Sequence, residues 1–504
     1  MSSRPSGKNR AGARAADPDR VERAGAPPER HLACLRSTPA MFSPDTLAAR
    51  RTALARAVGS GLVVLVGHDD APMNYPANVY PFRQDGTFRY LTGLDAPGFA
   101  LALDAETGRA TLFGHDPTLD DVIWDGPAPR RAERAEAAGA DAHAAPGDLA
   151  GVVRDALAQG RTVHTLPANR ADQTARLASL LGVADVRASD VLADAVVALR
   201  LVKTDAELGE IEAALAVTAE MHALAVAMAQ PGRTEREVAA AMQAVAVAAG
   251  GDVSFPIILT RRGEVLHNHP TGARLDAGDL LLIDAGATAP GSGYAGDVTR
   301  VAPVGGTFSE RQRGLVEAVL ASQQAALDAI RPGVTFRAVH DTAARTLAHG
   351  LVGLGLMTGD ADAAAAAGAH ALFFPHGLGH AIGLDVHDME GLGETRVGYD
   401  AETARSEQFG TRALRFGRRL APGHVVTVEP GAYLIPALVA QWKSEQRHAA
   451  FLPYAEIERW LGVGGVRIED VAAVTEAGMR VLGPAIPKTV ADVEAAVRAG
   501  ASPE

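Results

Sequence analysis

Cysteine is nearly missing from this chain of 504 residues: Cys34 is its single thiol. One cysteine excludes an intrachain disulfide framework and any cysteine-ligated metal centre. Long apolar runs are missing too. None approaches the roughly 18 residues that a membrane-spanning helix needs, so no membrane partner is expected. There is no basic excess either. The net charge is −12, whereas a nucleic-acid binder would show a basic face. Aromatics are scarce at 5%, but 47% of residues are hydrophobic and 21% charged, an ordinary globular balance with length for two large domains.

Residues 1–40 are rich in Arg, Pro, Ala, Gly and Ser and carry no apolar periodicity, so a disordered tail is expected. They contain no apolar core for a secretory signal. Asp17, Asp19, Glu22 and Glu29 weigh against an organellar one, which leaves a cytoplasmic location as the expectation. That Met41 is the true start is an equal reading.

From Ser43 to Val58 the pattern predicts a capped amphipathic helix with proline in its first turn. Gly61 to Gly67 reads as a buried strand, and Phe99–Leu103 with Ala110–Phe113 as a hairpin. Residues 128–158 are expected to be helical, with further short strands at Thr162–Leu166 and Val183–Val186. Strands alternating with helices predict an α/β amino-terminal domain over 41–198. Capping boxes at Thr204–Glu207 and Thr234–Glu237 open two helices, and Glu310–Ile330 and Thr335–Leu351 predict two more. Strand-like runs at Ile257–Thr260, Leu280–Asp284, Tyr294–Ala302, Gly423–Pro430 and Gly465–Val471 complete an α+β domain over 199–490. Residues 491–504 are expected to be a tail.

Acidic residues close several of these apolar strands. Asp284 ends Leu280–Ile283, and Asp297 lies 13 positions later, beyond a glycine-rich turn. Alone, they read as turn-adjacent surface aspartates. Facing each other across a hairpin, they would repel unless a cation lay between them. Glu429 ends Val425–Val428, and Glu469 follows Arg467–Ile468. Each alone reads as a salt-bridged strand end, but the recurrence points to a shared site. The run His376–Asp388 holds His376, His380, His387, Asp385 and Asp388 among glycines. His376 and His380 have helical metal-ligand spacing, but Gly377 and Gly379 disfavour a helix and the glutamate of an HExxH motif is absent. A strand or loop with one histidine as ligand and the others in support is expected. Four carboxylates balance two divalent cations, and oxygen-rich ligation with one imidazole suits Mn, Co or Zn. Such ions would activate a water near neutral pH, with metal and imidazole groups stabilising the oxyanion.

Six segments together carry a resemblance: Leu282–Gly286, Gly296–Arg300, His376–His380, Gly383–Asp388, Val428–Gly431 and Gly465–Asp470. They resemble the Xaa-Pro peptidase group of the pita-bread (creatinase/aminopeptidase-like) metallopeptidases, and Phe82–Asp85 with Tyr90–Gly93 resembles the group's first domain. The resemblance implies Asp284, Asp297, His380, Glu429 and Glu469 as ligands of two divalent ions, manganese first, with cobalt or zinc also fitting. It implies that Glu429 shuttles a proton, that His267 and His387 hold substrate and oxyanion, that His376 lines the site, and that Arg467 supports the carboxylates. His269 is an alternative to His267. A homodimer or higher homo-oligomer is implied, acting on peptides with proline at the second position. The Asp284–Asp297 loop is slightly longer than is usual in the group. Phe82–Asp85 and Gly293–Asp297 look like aminopeptidase P. Arg415, which would bind a substrate carboxylate, and the insert Leu434–Leu461 look like prolidases. A Xaa-Pro aminopeptidase is therefore expected, with Xaa-Pro dipeptidase as the alternative. A metal-free creatinase-like hydrolase or an inactive binding module would lack the ligand set present here.

Overall fold

Ser43 caps the helix Pro44–Val58 by accepting from the Thr46 amide, and Pro44 occupies the first turn. This computed structural model describes residues 42–501, so the tail expected over 1–40 lies outside the described residues. The strand Leu62–Val66 is buried throughout. It pairs antiparallel with Ala100–Asp104 and parallel with Val163–His164, while Ala110–Phe113 and Ala142–Ala144 extend the sheet at the other edge. Cover on both faces explains a continuous rather than alternating apolar run.

Two local expectations fail here for visible reasons. Residues 128–158 are not one helical stretch. Gly139, at φ 61°, ends the helix Arg131–Ala137, a short strand follows, and a turn at Pro146 precedes the helix Leu149–Ala158. Among the described residues, Val183–Val186 pairs with no strand. It follows the left-handed Gly182 that ends Ala171–Leu181, and Val183 is 45% exposed.

The division expected between 198 and 199 falls inside the helix Asp190–Leu201; the nearest joint is Val202–Lys203, before the Thr204 cap. Apolar packing runs across that joint. Leu54, Leu65, Phe88 and Val196 share one buried cluster with Ile211, Leu215, Tyr294, Val425 and Val471. Both capping boxes form, opening Asp205–Ala227 and Glu235–Ala248, and Glu310–Ala329 and Phe336–Gly353 follow as expected.

Two antiparallel ladders bear on the site. Leu280–Ala285 lies between Ile258–Thr260 and Val298–Pro303. Asp470–Thr475 lies between Val425–Val428 and Gly478–Val481. The single strand expected at Gly465–Val471 is two: Gly465–Arg467 pairs with Gly431–Tyr433, and Asp470 begins the other ladder. Pro430, which has no amide hydrogen, sits opposite this break. Glu429 and Glu469 therefore both occupy the gap where one ladder hands over to the next. The tail expected at 491–504 begins instead as the helix Val490–Gly500, because Val490, Val493 and Val497 form a buried stripe. No helix among the described residues is long and apolar enough to cross a membrane.

Candidate metal centre

The hairpin register sets Asp284 opposite Thr299. Asp297 is two residues before Thr299, so strand alternation sends both acids to one face. Both are buried. The segment His376–Asp388 runs as a loop beside Val425–Val428. The Thr427 amide donates to the His380 carbonyl at 3.0 Å, the Thr427 hydroxyl accepts from the His380 amide at 3.0 Å, and the Glu429 amide donates to the Leu378 carbonyl at 2.8 Å. A side chain at Gly379 would collide with the Thr427 carbonyl, so glycine is what admits this close approach.

These elements bring the five expected ligands to the floor of a cavity of about 580 Å³. Ligand atoms of Asp297, His380 and Glu469 lie within 4.8 Å of one another. Glu429 Oε1 is 3.7 Å and Asp297 Oδ2 is 3.4 Å from His380 Nε2. Asp284 lines the same cavity but turns Oδ2 to the Arg467 guanidinium. The Ala381 carbonyl lies 3.1 Å from His380 Nδ1, so Nδ1–H points there and Nε2 faces the carboxylates.

Three observations fit divalent cations here. Asp297 Oδ1 is buried with no hydrogen-bond partner among the described residues. His380 Nε2 faces two carboxylates at 3.4 and 3.7 Å, a mixed nitrogen and oxygen donor set that suits a divalent cation. Four acids also share this cavity with only two guanidiniums among the described residues, Arg467 and Arg415. Burial first, then Asp284, pushes the Asp297 carboxyl well above its usual range, and burial with Asp297 does the same to Glu469. Burial lifts Glu429 to about 7 against the pull of His380 and Arg467. Carboxylates that resist ionising without a counter-charge are what a cation site provides.

Arg467 is fixed three ways: Nε donates to the Thr299 hydroxyl at 3.1 Å, Nη1 to the Tyr433 hydroxyl at 2.8 Å, and Nη2 to Asp284. His376 contacts the Gly377 carbonyl through Nδ1 at 2.8 Å and the Tyr433 hydroxyl through Nε2 at 2.9 Å. Burial, then Arg467, holds its pKa down at about 3, so it is neutral. His387 lies against His380 with ring centroids 4.0 Å apart. His267 and His269 both stand exposed on the cavity rim, and the choice between them stays open. Arg415 lines the cavity wall. Asp388 does not reach the cavity. It is buried beneath the loop, where Arg200 at 2.7 Å and Lys203 at 2.9 Å hold it, and Arg200 also binds Asp385 at 3.0 Å.

Thr299, Tyr433, Glu390 and Glu394 also belong to the site, without a role assigned from sequence. Thr299 was within reach, because it shares a strand face with Asp297, and its hydroxyl donates to Glu469 at 2.7 Å. Glu390, three residues after His387, accepts from His387 Nδ1 at 3.0 Å and from Arg415 Nη1 at 2.8 Å. The 25-residue separation from Arg415 left no local signal of that link.

The family model for metallopeptidase family M24 matches residues 209–476, and that for the aminopeptidase P N-terminal domain matches residues 47–164. Xaa-Pro dipeptidase from Homo sapiens is 31% identical over 449 residues, covering 86% of this chain and 88% of the relative. A probable Xaa-Pro aminopeptidase from Metarhizium acridum is 30% identical, covering 86% and 90%. The structure of aminopeptidase P from Escherichia coli with the inhibitor Pro-Leu aligns with a TM-score of 0.75 at 28% identity, covering 91% of this chain and 99% of that one. A zinc-substituted form of that enzyme in complex with product aligns with the same score, covering 92% and 100%.

Proposed function

Because the chain belongs to metallopeptidase family M24, a hydrolase of the Xaa-Pro peptidase group, we propose that it is a Xaa-Pro aminopeptidase releasing the residue that precedes proline. The observation that carries this reading is the convergence of four carboxylates and His380 at the floor of one cavity, with Asp297 Oδ1 unpartnered. Asp284, Asp297, His380, Glu429 and Glu469 would hold two divalent ions, manganese first, with cobalt or zinc as alternatives. Such ions supply an acidified water and a polarised scissile carbonyl.

The chain's own groups would do the rest. Glu429, 3.7 Å from His380 in the cavity, would take a proton on its carboxylate and return it to the proline nitrogen as the leaving group forms. Arg467 would hold Asp284 in orientation, acting through that carboxylate. His387 donates Nδ1–H to Glu390, which leaves its neutral ring an acceptor at Nε2 for a substrate N–H; it would stabilise an oxyanion only as an imidazolium. His376 would hold the wall through Tyr433. His267 at the rim would meet the substrate.

Two observations divide the specificity. A second cavity of about 510 Å³ shares Phe255 and Pro256 with the first, which gives room for peptides that continue past proline. Arg415 on the cavity wall favours the alternative, a Xaa-Pro dipeptidase binding a free carboxylate. The test is to strip the protein with chelator, restore Mn, Co or Zn singly, and assay Xaa-Pro against Xaa-Pro-Xaa peptides. Metal-dependent cleavage with the tripeptide preferred supports the aminopeptidase. Dipeptide preference moves the assignment to dipeptidase, and cleavage of neither removes both. We propose a cytoplasmic location and, as the resemblance implies, a homodimer or higher homo-oligomer; a monomer mass by sedimentation would reject the assembly.

A further inference from the structure

We propose that Glu390 and Glu394 cancel the charge of Arg415, so that the site disfavours a free substrate carboxylate and prefers a neutral carbonyl there. The inference rests on the Xaa-Pro peptidase reading and assigns its chain-length preference to these two acids.

Arg415 has a half-exposed side chain on the cavity wall. Its Nη1 donates to Glu390 Oε2 at 2.8 Å and lies 3.3 Å from Glu394 Oε2. Glu394 in turn pairs with Arg405 through its other oxygen. Glu390 also accepts from His387 Nδ1. Two acids and two guanidiniums thus form a cluster with no net charge. Nε and Nη2 of Arg415 have no protein partner among the described residues, so a donor edge remains for substrate. That edge keeps its hydrogen-bonding geometry while its attraction for an anion is cancelled. A carboxylate docking there gives up its hydration with no unbalanced positive charge to replace it. The carbonyl of a peptide that continues past proline satisfies the same donors at a smaller desolvation cost.

The competing account is that the acids simply aim Arg415 at a carboxylate. The two accounts predict opposite signs. Ala-Pro and Ala-Pro-amide differ only in charge at the carboxyl terminus, so their kcat/KM ratio reads the effect directly. On the manganese-loaded enzyme, Glu394→Gln should raise the ratio for Ala-Pro over Ala-Pro-amide about fivefold, mainly through KM, the worth of one like charge a side chain away at a half-exposed wall. In an Arg415→Ala background the same change should move the ratio little, because the donors that place the carboxylate are gone. The wild-type enzyme gives a second readout that needs no variant. Added salt should leave the ratio level if the wall is neutral and lower it if the wall attracts carboxylate. A ratio that stays level or falls in Glu394→Gln, or that falls with salt, overturns the proposal. If wild-type enzyme cleaves neither substrate, the peptidase reading fails instead.

Discussion

Asp388→Ala should be among the most destabilising single changes in this chain. Asp388 is 1% exposed and accepts from Arg200 Nη2 at 2.7 Å and Lys203 Nζ at 2.9 Å. Burial pushes its pKa up, but Lys203 and Arg200 pull it further down, so it is ionised. Removing it leaves Arg200 with Asp385 and the Thr87 hydroxyl. Lys203 Nζ is left with no partner among the described residues, and its side chain is 1% exposed. An uncompensated buried charge of this kind costs about 3–5 kcal/mol. The unfolding entropy of a chain this long is on the order of 1 kcal/mol per kelvin, so the melting temperature should fall by about 3–5 °C. Adding Lys203→Met removes the stranded ammonium, and the double variant should regain about 1–3 kcal/mol of the sum of the single losses. Thermal unfolding followed by circular dichroism on all three variants is the assay. A melting point within a degree of wild type, or strictly additive losses, would refute the claim that these two charges depend on each other.

Arg467→Lys should lower kcat about 10–100-fold with the fold intact, because an ammonium cannot reach Thr299, Tyr433 and Asp284 together; steady-state kinetics with a folding control checks it. In the metal-loaded protein, where cations rather than protons balance Asp297, Glu429 and Glu469, the buried histidines should make stability rise with pH between about 4 and 6.5. Burial depresses His222 and His370 to about 4, and burial followed by His370 depresses His340 well below its ordinary value, so the unfolded chain binds more protons in that window. Each contribution is fully present above the unfolded pKa and is lost as pH falls, at up to roughly 3 kcal/mol per group. Urea midpoints from pH 4 to 8 measure it, and a flat profile contradicts it.

What could be read from sequence here was whatever is local. The strand-end acids Asp284 and Asp297 announce themselves because alternation and a thirteen-residue return put them on one face. Thr204 and Thr234 announce their helices because a capping box is complete within four residues. The helix Val490–Gly500 carried a readable stripe, Val490, Val493 and Val497, that was passed over as tail. Other features have no local signature. The break at Ile468–Glu469 depends on which ladder each half finds, and only the paired strands at 425–433 decide that. Asp388 looked like part of the metal loop, but its partner Arg200 is 188 residues away, so its role as the loop's anchor was invisible. The Glu390–Arg415 contact was hidden in the same way.

The central claim is that five separated side chains form one cation site. Titrating the chelator-stripped protein with Mn²⁺ in a calorimeter tests it most directly. Two ions should bind per chain in the wild type, with affinity sharply weakened in Asp297→Asn, because that change removes the unpartnered carboxylate of the cluster. No saturable binding, or binding that Asp297→Asn leaves untouched, would contradict it.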